Sequence, residues 1–192
     1  FSNNIQIKNL YFPFLSSGSN FIHLPILLSI FITVFWIVGI VNAVNWLDGL
    51  DGLASGTLNI LFFGLFLFSI KNGYFYYPTL LISLIGSNLA FLRYNSNPSK
   101  IIMGDGGSNF LGFLLAVLTI LIFRDTVANK NFDIIYFERC ILITAIPLLD
   151  MTRVIIQRII SQKSPFFPDN NHLHHLLLNR GFSVKKVVKI YY

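Results

Sequence analysis

Residues 42–56 read NAVNWLDGLDGLASG and lie between two long apolar runs. At that boundary stand two amides three residues apart, Asn42 and Asn45, and two carboxylates three residues apart, Asp48 and Asp51. Each acid is followed by a glycine, which permits a tight turn where the first run ends. Polar groups packed this densely beside hydrocarbon cost free energy unless partners or water meet them, so they read as a functional site. Two carboxylates one helical turn apart, with amides on the turn before, suit a hard cation or a polar head group. For Gly52 and Gly56, a small-xxx-small pair, close helix packing is the simpler role.

Outward from this boundary the chain reads as five membrane spans, over residues 24–44, 53–70, 76–92, 108–123 and 134–149. Their lengths approach the roughly 20 residues that a ~30 Å hydrocarbon core requires. A sixth span starts after Lys185, Lys186 and Lys189, and residues 1–20 read as a loop outside the bilayer. The expected fold is therefore all-α, a polytopic integral membrane helix bundle. Composition agrees: of 192 residues 54% are hydrophobic and only 11% charged, with twenty Phe, where a soluble domain carries about a quarter charged residues. Mean hydropathy is +0.67.

The net charge of +6 would also suit nucleic acid, but basic residues gathered on the cytoplasmic side of a membrane protein account for it, and no nucleic-acid partner is expected. Five alternating crossings put loops 42–52, 93–107 and 150–190 on one side. That side holds Arg93, Lys100, Arg153, Arg158, Lys163, Arg180, Lys185, Lys186 and Lys189, nine of the fourteen basic residues. It is taken as cytoplasmic. The lone Cys140, inside an apolar run, supports neither a disulfide framework nor a thiolate zinc site. The chain begins with Phe1 and closes at Tyr192 within an apolar stretch, and an internal piece of a longer protein is expected. Residues 1–192 are read as a single membrane-embedded domain. Within it, residues 150–183 form a cytoplasmic amphipathic helix, with Asp150, Arg153 and Arg158 at helical spacing, and a His-rich loop in which Pro165 and Pro168 forbid a continuous helix.

Two further clusters fall on the same side. Residues 93–112, RYNSNPSKIIMGDGGSNFLG, contain a glycine-rich turn leading into the fourth span, with Ser108 as its N-cap. Backbone N–H groups in such a turn, with a helix dipole behind them, favour an anion. Asp105 would repel a bare phosphate but would bring in Mg²⁺ that neutralises one, while Asn95 and Lys100 stand nearby as polar and phosphate partners. No Lys-Ser/Thr follows the glycines, so this is not a Walker loop. The other cluster is His172, His174 and His175. An H-x-H-H pattern could hold zinc, but it is not the H-E-x-x-H of a protease, and Arg153, Arg158, Lys163 and Arg180 around it favour phosphate. A transporter path would need charges at mid-span, whereas all these groups lie at one face. A structural scaffold explains neither the clusters nor their shared face.

With these residues assembled, the chain resembles the polyprenyl-phosphate N-acetylhexosamine-1-phosphate transferases of glycosyltransferase family 4. The match rests on NAVNWLDGLDGLASG, on NPSKIIMGDGGSNFLGF, and on D-x-x-R followed by SPFFPDNNHLHH. The HLHH form is similar to the branch that starts O-antigen or teichoic acid linkage, more than to the peptidoglycan branch that makes lipid I. The resemblance implies transfer of N-acetylglucosamine-1-phosphate from UDP-GlcNAc to undecaprenyl phosphate at the cytoplasmic face of the inner (plasma) membrane, releasing UMP. It implies Mg²⁺, or Mn²⁺ in its place, at Asp105 with Asn45. Asp48, Asp51, Asp105, His172, His174 and His175 then carry catalysis, and Asn42, Asn45, Asn95, Lys100, Arg153 and Arg158 bind substrate. The expected partners are a UDP-sugar, a polyprenyl phosphate lipid and the membrane, with a homodimer as the assembly allowed. The family's adjacent aspartate pair has no counterpart in this chain, so the piece by itself is expected to be inactive.

Overall fold

The computed structural model describes residues 5–11, 21–128, 137–165 and 171–192. Among the described residues eight helices follow a short two-stranded sheet: α1 Ile26–Leu47, α2 Leu53–Lys71, α3 Tyr76–Asn95, α4 Gly104–Ala128, α5 Phe137–Ile143, α6 Ala145–Ile160, α7 Leu173–Asn179 and α8 Val184–Tyr191. The protein is an all-α helix bundle. Among the described residues α1, α2 and residues 104–123 of α4 are long and apolar enough to cross a membrane, with mean hydropathies of 2.4, 1.9 and 2.0. The 22 residues of α1 make a rod about 33 Å long, which matches a hydrocarbon core. Its outer face shows Leu27, Phe31, Phe35 and Val38 to the surroundings, which is favourable in lipid and costly in water.

The bundle is built from two close helix pairs, α1 with α4 and α2 with α3. Gly112 sets the first: a Cβ there would stand 3.0 Å from Val41 Cα and 3.2 Å from Val44 Cβ, so only glycine lets the two backbones approach this far. Lower down, the Trp36 indole Nε1–H donates to Thr119 Oγ1 at 3.3 Å. In the second pair Asn88 Nδ2 donates to the Ser55 carbonyl at 2.8 Å. Between the pairs lies one core that includes Ile40, Val44, Leu58, Phe62, Leu65, Leu81 and Leu115. A smaller cluster of Leu47, Leu53, Val187 and Tyr191 attaches α8 to the junction of α1 and α2.

Four details differ from the sequence reading. Within the expected loop 1–20, residues Asn9–Tyr11 pair antiparallel with Phe21–His23. This sheet is tied to α1 by Ile7, whose N–H donates to Thr33 Oγ1 and whose carbonyl accepts from Ser29 Oγ. The third span is a helix, but Pro78, Thr79, Ser83, Ser87 and Asn88 keep α3 less apolar than its neighbours. The fifth span is not one rod: among its described residues it breaks at Thr144 into α5 and α6. Pro147 explains the break, since its nitrogen cannot donate to the Ile143 carbonyl and its ring would clash there. Lastly, α4 begins at Gly104, not after a turn, so Ser108 is no N-cap; its hydroxyl turns back to the Gly104 carbonyl at 3.1 Å. Residues 129–136 and Pro168 lie outside the described residues.

Gly112→Val should lower stability by about 1–3 kcal/mol, read as a drop in the thermal unfolding temperature in detergent. Gly39→Ala, whose new methyl would meet nothing within 4 Å, should leave the temperature within error of the parent.

Candidate active site

Alternation of the helices decides where the site forms. The C-terminal ends of α1 and α3 meet the N-terminal ends of α2 and α4, so Asp48, Asp51, Asn95 and Asp105 share one end of the bundle. The loop between α1 and α2 turns on Gly52, which has φ +79 and therefore the left-handed conformation that glycine adopts without strain. Asn95, only 3% exposed, holds this turn from α3: its Oδ1 accepts from Gly52 N–H at 3.1 Å and Ser55 Oγ at 2.8 Å, and its Nδ2 donates to the Ile101 carbonyl.

Two carboxylates of the loop have different surroundings. Asp51 Oδ2 accepts from Asn97 Nδ2 at 3.0 Å and Ser99 N–H at 3.2 Å, and these bonds from the α3–α4 connection hold its pKa below the ordinary value. Burial pushes Asp48 the other way, to about 6, helped by the nearby charge of Asp105 and opposed by a hydrogen bond from the Gly104 backbone. Asn45, one turn before Asp48, donates Nδ2 to Asp105 Oδ1 at 3.1 Å and to Ser108 Oγ at 2.9 Å. Asp48, Gly49, Leu50, Asp51, Asn95, Ile102 and Met103 line a cavity of about 160 Å³ beside these acids.

Asp48 and Asp105 are hard oxygen donors near one another, and the pKa of Asp48, raised first by burial and then by the charge of Asp105, marks a carboxylate that a divalent cation would stabilise. Among the described residues no group of three His, Cys, Asp or Glu side chains is placed to hold a metal ion by itself. Mg²⁺ needs no such cage, since it takes one or two carboxylates and completes its shell with water and phosphate oxygens. The residues therefore fit Mg²⁺. Asn45 stands as a donor to Asp105, holding the carboxylate in position.

The histidine segment closes over the same loop. Asp150 on α6 receives His172 Nδ1 at 3.0 Å and Leu173 N–H at 2.8 Å, so one carboxylate orients both the first histidine and the start of α7. Burial alone would raise the Asp150 pKa, but these bonds and the charge of the histidines outweigh it and hold it low. Arg153 pairs with Asp150 at 3.7 Å and donates to the Asn171 carbonyl. Arg158, 4% exposed, donates to the Pro165 carbonyl at 2.6 Å and lies 4.9 Å over the Trp46 ring. Trp46 in turn meets the edge of His172, which stacks on His174 with centroids 5.5 Å apart. His174 is 1% exposed and rests on Gly49, where a Cβ would overlap its ring. Burial, with His175 and His172 nearby, lowers its pKa from 6.5 to about 4, so it is neutral at pH 7.

The structure thus brings together Asn45, Asp48, Asp51 and Asp105, and sets His172, His174 and His175 on Trp46 and Gly49 beside them. Arg153, Arg158 and Asn95 spend hydrogen bonds on backbone carbonyls or amides within the fold. Asn42 is exposed and donates to the Val38 carbonyl, and Lys100 is exposed on the α3–α4 connection. From sequence Asp150 reads only as part of the amphipathic helix and the D-x-x-R spacing, and Gly49 only as a turn glycine; neither stands among the candidate site residues. Nothing local marks Trp46.

Compared with known proteins, residues 1–123 match the family model described as Glycosyl transferase family 4. A probable undecaprenyl-phosphate N-acetylglucosaminyl 1-phosphate transferase from Bacillus subtilis is 37% identical over 84% of this chain and 44% of its own length. A decaprenyl-phosphate N-acetylglucosaminephosphotransferase from Mycobacterium tuberculosis is 35% identical over 85% of the chain and 44% of its own length. The undecaprenyl-phosphate alpha-N-acetylglucosaminyl 1-phosphate transferase of Escherichia coli K12 is 31% identical over 81% and 42%. The chain spans less than half the length of these relatives.

Acid should loosen the histidine segment. A lowered folded pKa means that the unfolded state binds more protons, so the contribution of His174 is complete above pH 6.5 and is lost as pH falls towards about 4. Asp150, also lowered, extends the loss below the ordinary carboxylate value. Around His174 the groups that matter are His172, His175, Asp150 and Arg153. Hydrogen exchange of residues 172–179 should accelerate between pH 6.5 and 4 relative to the amides of α2, and His174→Gln should flatten that part of the profile.

Proposed function

Because the chain belongs to glycosyl transferase family 4, we propose that the whole protein transfers N-acetylglucosamine-1-phosphate from UDP-N-acetylglucosamine to undecaprenyl phosphate. The reaction takes place at the cytoplasmic face of the inner (plasma) membrane, releases UMP and starts a cell-envelope polysaccharide. The observation that carries this reading is the convergence of Asp48, Asp51 and Asp105 at one end of an apolar bundle, with the histidine segment closed over them. The names of the relatives support a polyprenyl phosphate acceptor and an N-acetylglucosamine phosphate donor.

In this reaction an oxygen of the lipid phosphate attacks the sugar-bearing phosphorus of the donor. A P–O bond forms, the diphosphate P–O bond breaks, and UMP leaves with the bridging oxygen. Little bond-making is asked of the protein; placement and charge neutralisation dominate. Mg²⁺ bound at Asp105 and Asp48, or Mn²⁺ in its place, would supply positive charge to the diphosphate. Asn45 holds Asp105 for that role. The cavity beside Asp48 and Asp51 would receive part of the donor, and the N-terminal ends of α2 and α4 add their positive dipole ends. His172, fixed through Nδ1 by Asp150, lies on the opposite side of the loop, where its other ring nitrogen, when protonated, can donate to a phosphate oxygen, and the buried, neutral His174 packs behind it on Gly49. The bilayer itself delivers the acceptor, whose apolar tail cannot leave it.

UMP release from UDP-N-acetylglucosamine, with undecaprenyl phosphate and Mg²⁺ in detergent, tests the reading on the complete protein that carries this chain. Release should depend on the divalent cation, and Asp105→Asn should cut it by about 10²-fold or more. Release only from UDP-N-acetylmuramoyl-pentapeptide would assign the lipid I reaction instead. A well-folded preparation that used neither donor would overturn the proposed activity.

A further inference from the structure

We infer that Tyr192 is a positioning residue for the acid loop, acting through the carbonyl of Gly52, an inference that rests on the transferase reading above. Its hydroxyl donates to Gly52 O at 2.6 Å, across 140 residues of sequence. The same peptide segment is held from the other side by Asn95, whose Oδ1 accepts the Gly52 N–H. Gly52 is therefore gripped at both its N–H and its C=O by side chains from α3 and from the end of α8. It is the residue directly after Asp51, four residues from Asp48, and it makes the left-handed turn of the loop, which glycine adopts without strain.

A second, independent feature points to the same contact. Gly56 lies one turn into α2, and a Cβ there would overlap the Tyr192 phenol. The small residue at 56 is thus required by the tyrosine and not by another helix backbone. Tyr191 and Val187, on the buried side of α8, pack with Leu47 and Leu53 at the two ends of the acid loop. That packing holds α8 where the Tyr192 hydroxyl reaches the loop. Tyr192 itself is 49% exposed, so removing its hydroxyl takes no large group out of the core and leaves the fold intact.

The cavity assigned to the donor is lined by Asp48, Gly49, Leu50 and Asp51. Loosening Gly52, the next residue, should therefore weaken donor handling first. In the complete protein, Tyr192→Phe should raise KM for the UDP-sugar about three- to tenfold, the size of one neutral hydrogen bond, with KM for the polyprenyl phosphate unchanged. Gly56→Ala, which displaces the ring, should raise donor KM similarly. In a Tyr192→Ala background Gly56→Ala should add nothing, because both changes remove one contact. A purely structural tyrosine would lower the unfolding temperature and the yield of active enzyme with both KM values unmoved. Hydrogen exchange reads the contact whether or not turnover is found: amides 49–53 should exchange several-fold faster in Tyr192→Phe than in the parent. Unchanged exchange, or a donor KM within twofold of the parent, overturns the inference. Absence of turnover in the parent bears on the transferase reading alone.

Discussion

The close approach of α1 and α4 is the constraint on which the site depends. Gly112 removes the side chain that would keep the two helices apart, and the Asn45 amide then reaches Asp105 and Ser108 across the gap. Two segments of sequence sixty residues apart become one polar surface at the end of an apolar bundle. The bond from Asn45 to the exposed Asp105 carboxylate, and the second one to Ser108, tie that surface together across the helix pair. Separation of the helices by even one methyl group would undo the register that places Asp48 near Asp105.

Most of the architecture was legible in the sequence because lipid imposes a simple rule: apolar runs of sufficient length become helices, and polar clusters collect at their ends. The boundary at 42–56 was readable for the same reason, with α1 ending at Leu47 and α2 opening at Leu53. The clustering of Asp48, Asp51 and Asp105 on one face followed from counting crossings. What the sequence did not disclose were features that depend on partners distant in the chain. Asn95 reads as a site amide and is, in the structure, the support of the Gly52 turn. Gly56 reads as half of a helix-packing pair, yet its neighbour is a tyrosine ring from α8. The strands Asn9–Tyr11 and Phe21–His23, three residues each, are too short for alternation to register. Pro147 was visible, but the run of hydrophobic letters around it masked the break that it causes.

Charge is divided unequally among the acids of this face. Asp51 and Asp150 are satisfied by hydrogen bonds and stay ionised, while Asp48, half-buried beside Asp105, resists ionisation. Satisfied carboxylates are suited to holding loops, and an unsatisfied one to receiving a cation or a proton. The histidines divide in the same way. His172 is locked on Asp150, and His174 is kept neutral by burial against Gly49. Structural and chemical duties are thus assigned to different members of each cluster, although the letters are identical.

The bond from Tyr192 to Gly52 also bears on when the site comes into being. A chain emerging at about 5–20 residues per second presents the acid loop long before α8, and the 140 residues between the two partners correspond to roughly 7–28 s of synthesis. During that interval α1 and α2 can enter the bilayer and pair, but the turn between them lacks one of its two clamps. Docking of α8 on the loop therefore acts as a completion step. Until α8 is made, the Gly52 peptide has no tyrosine hydroxyl on its carbonyl.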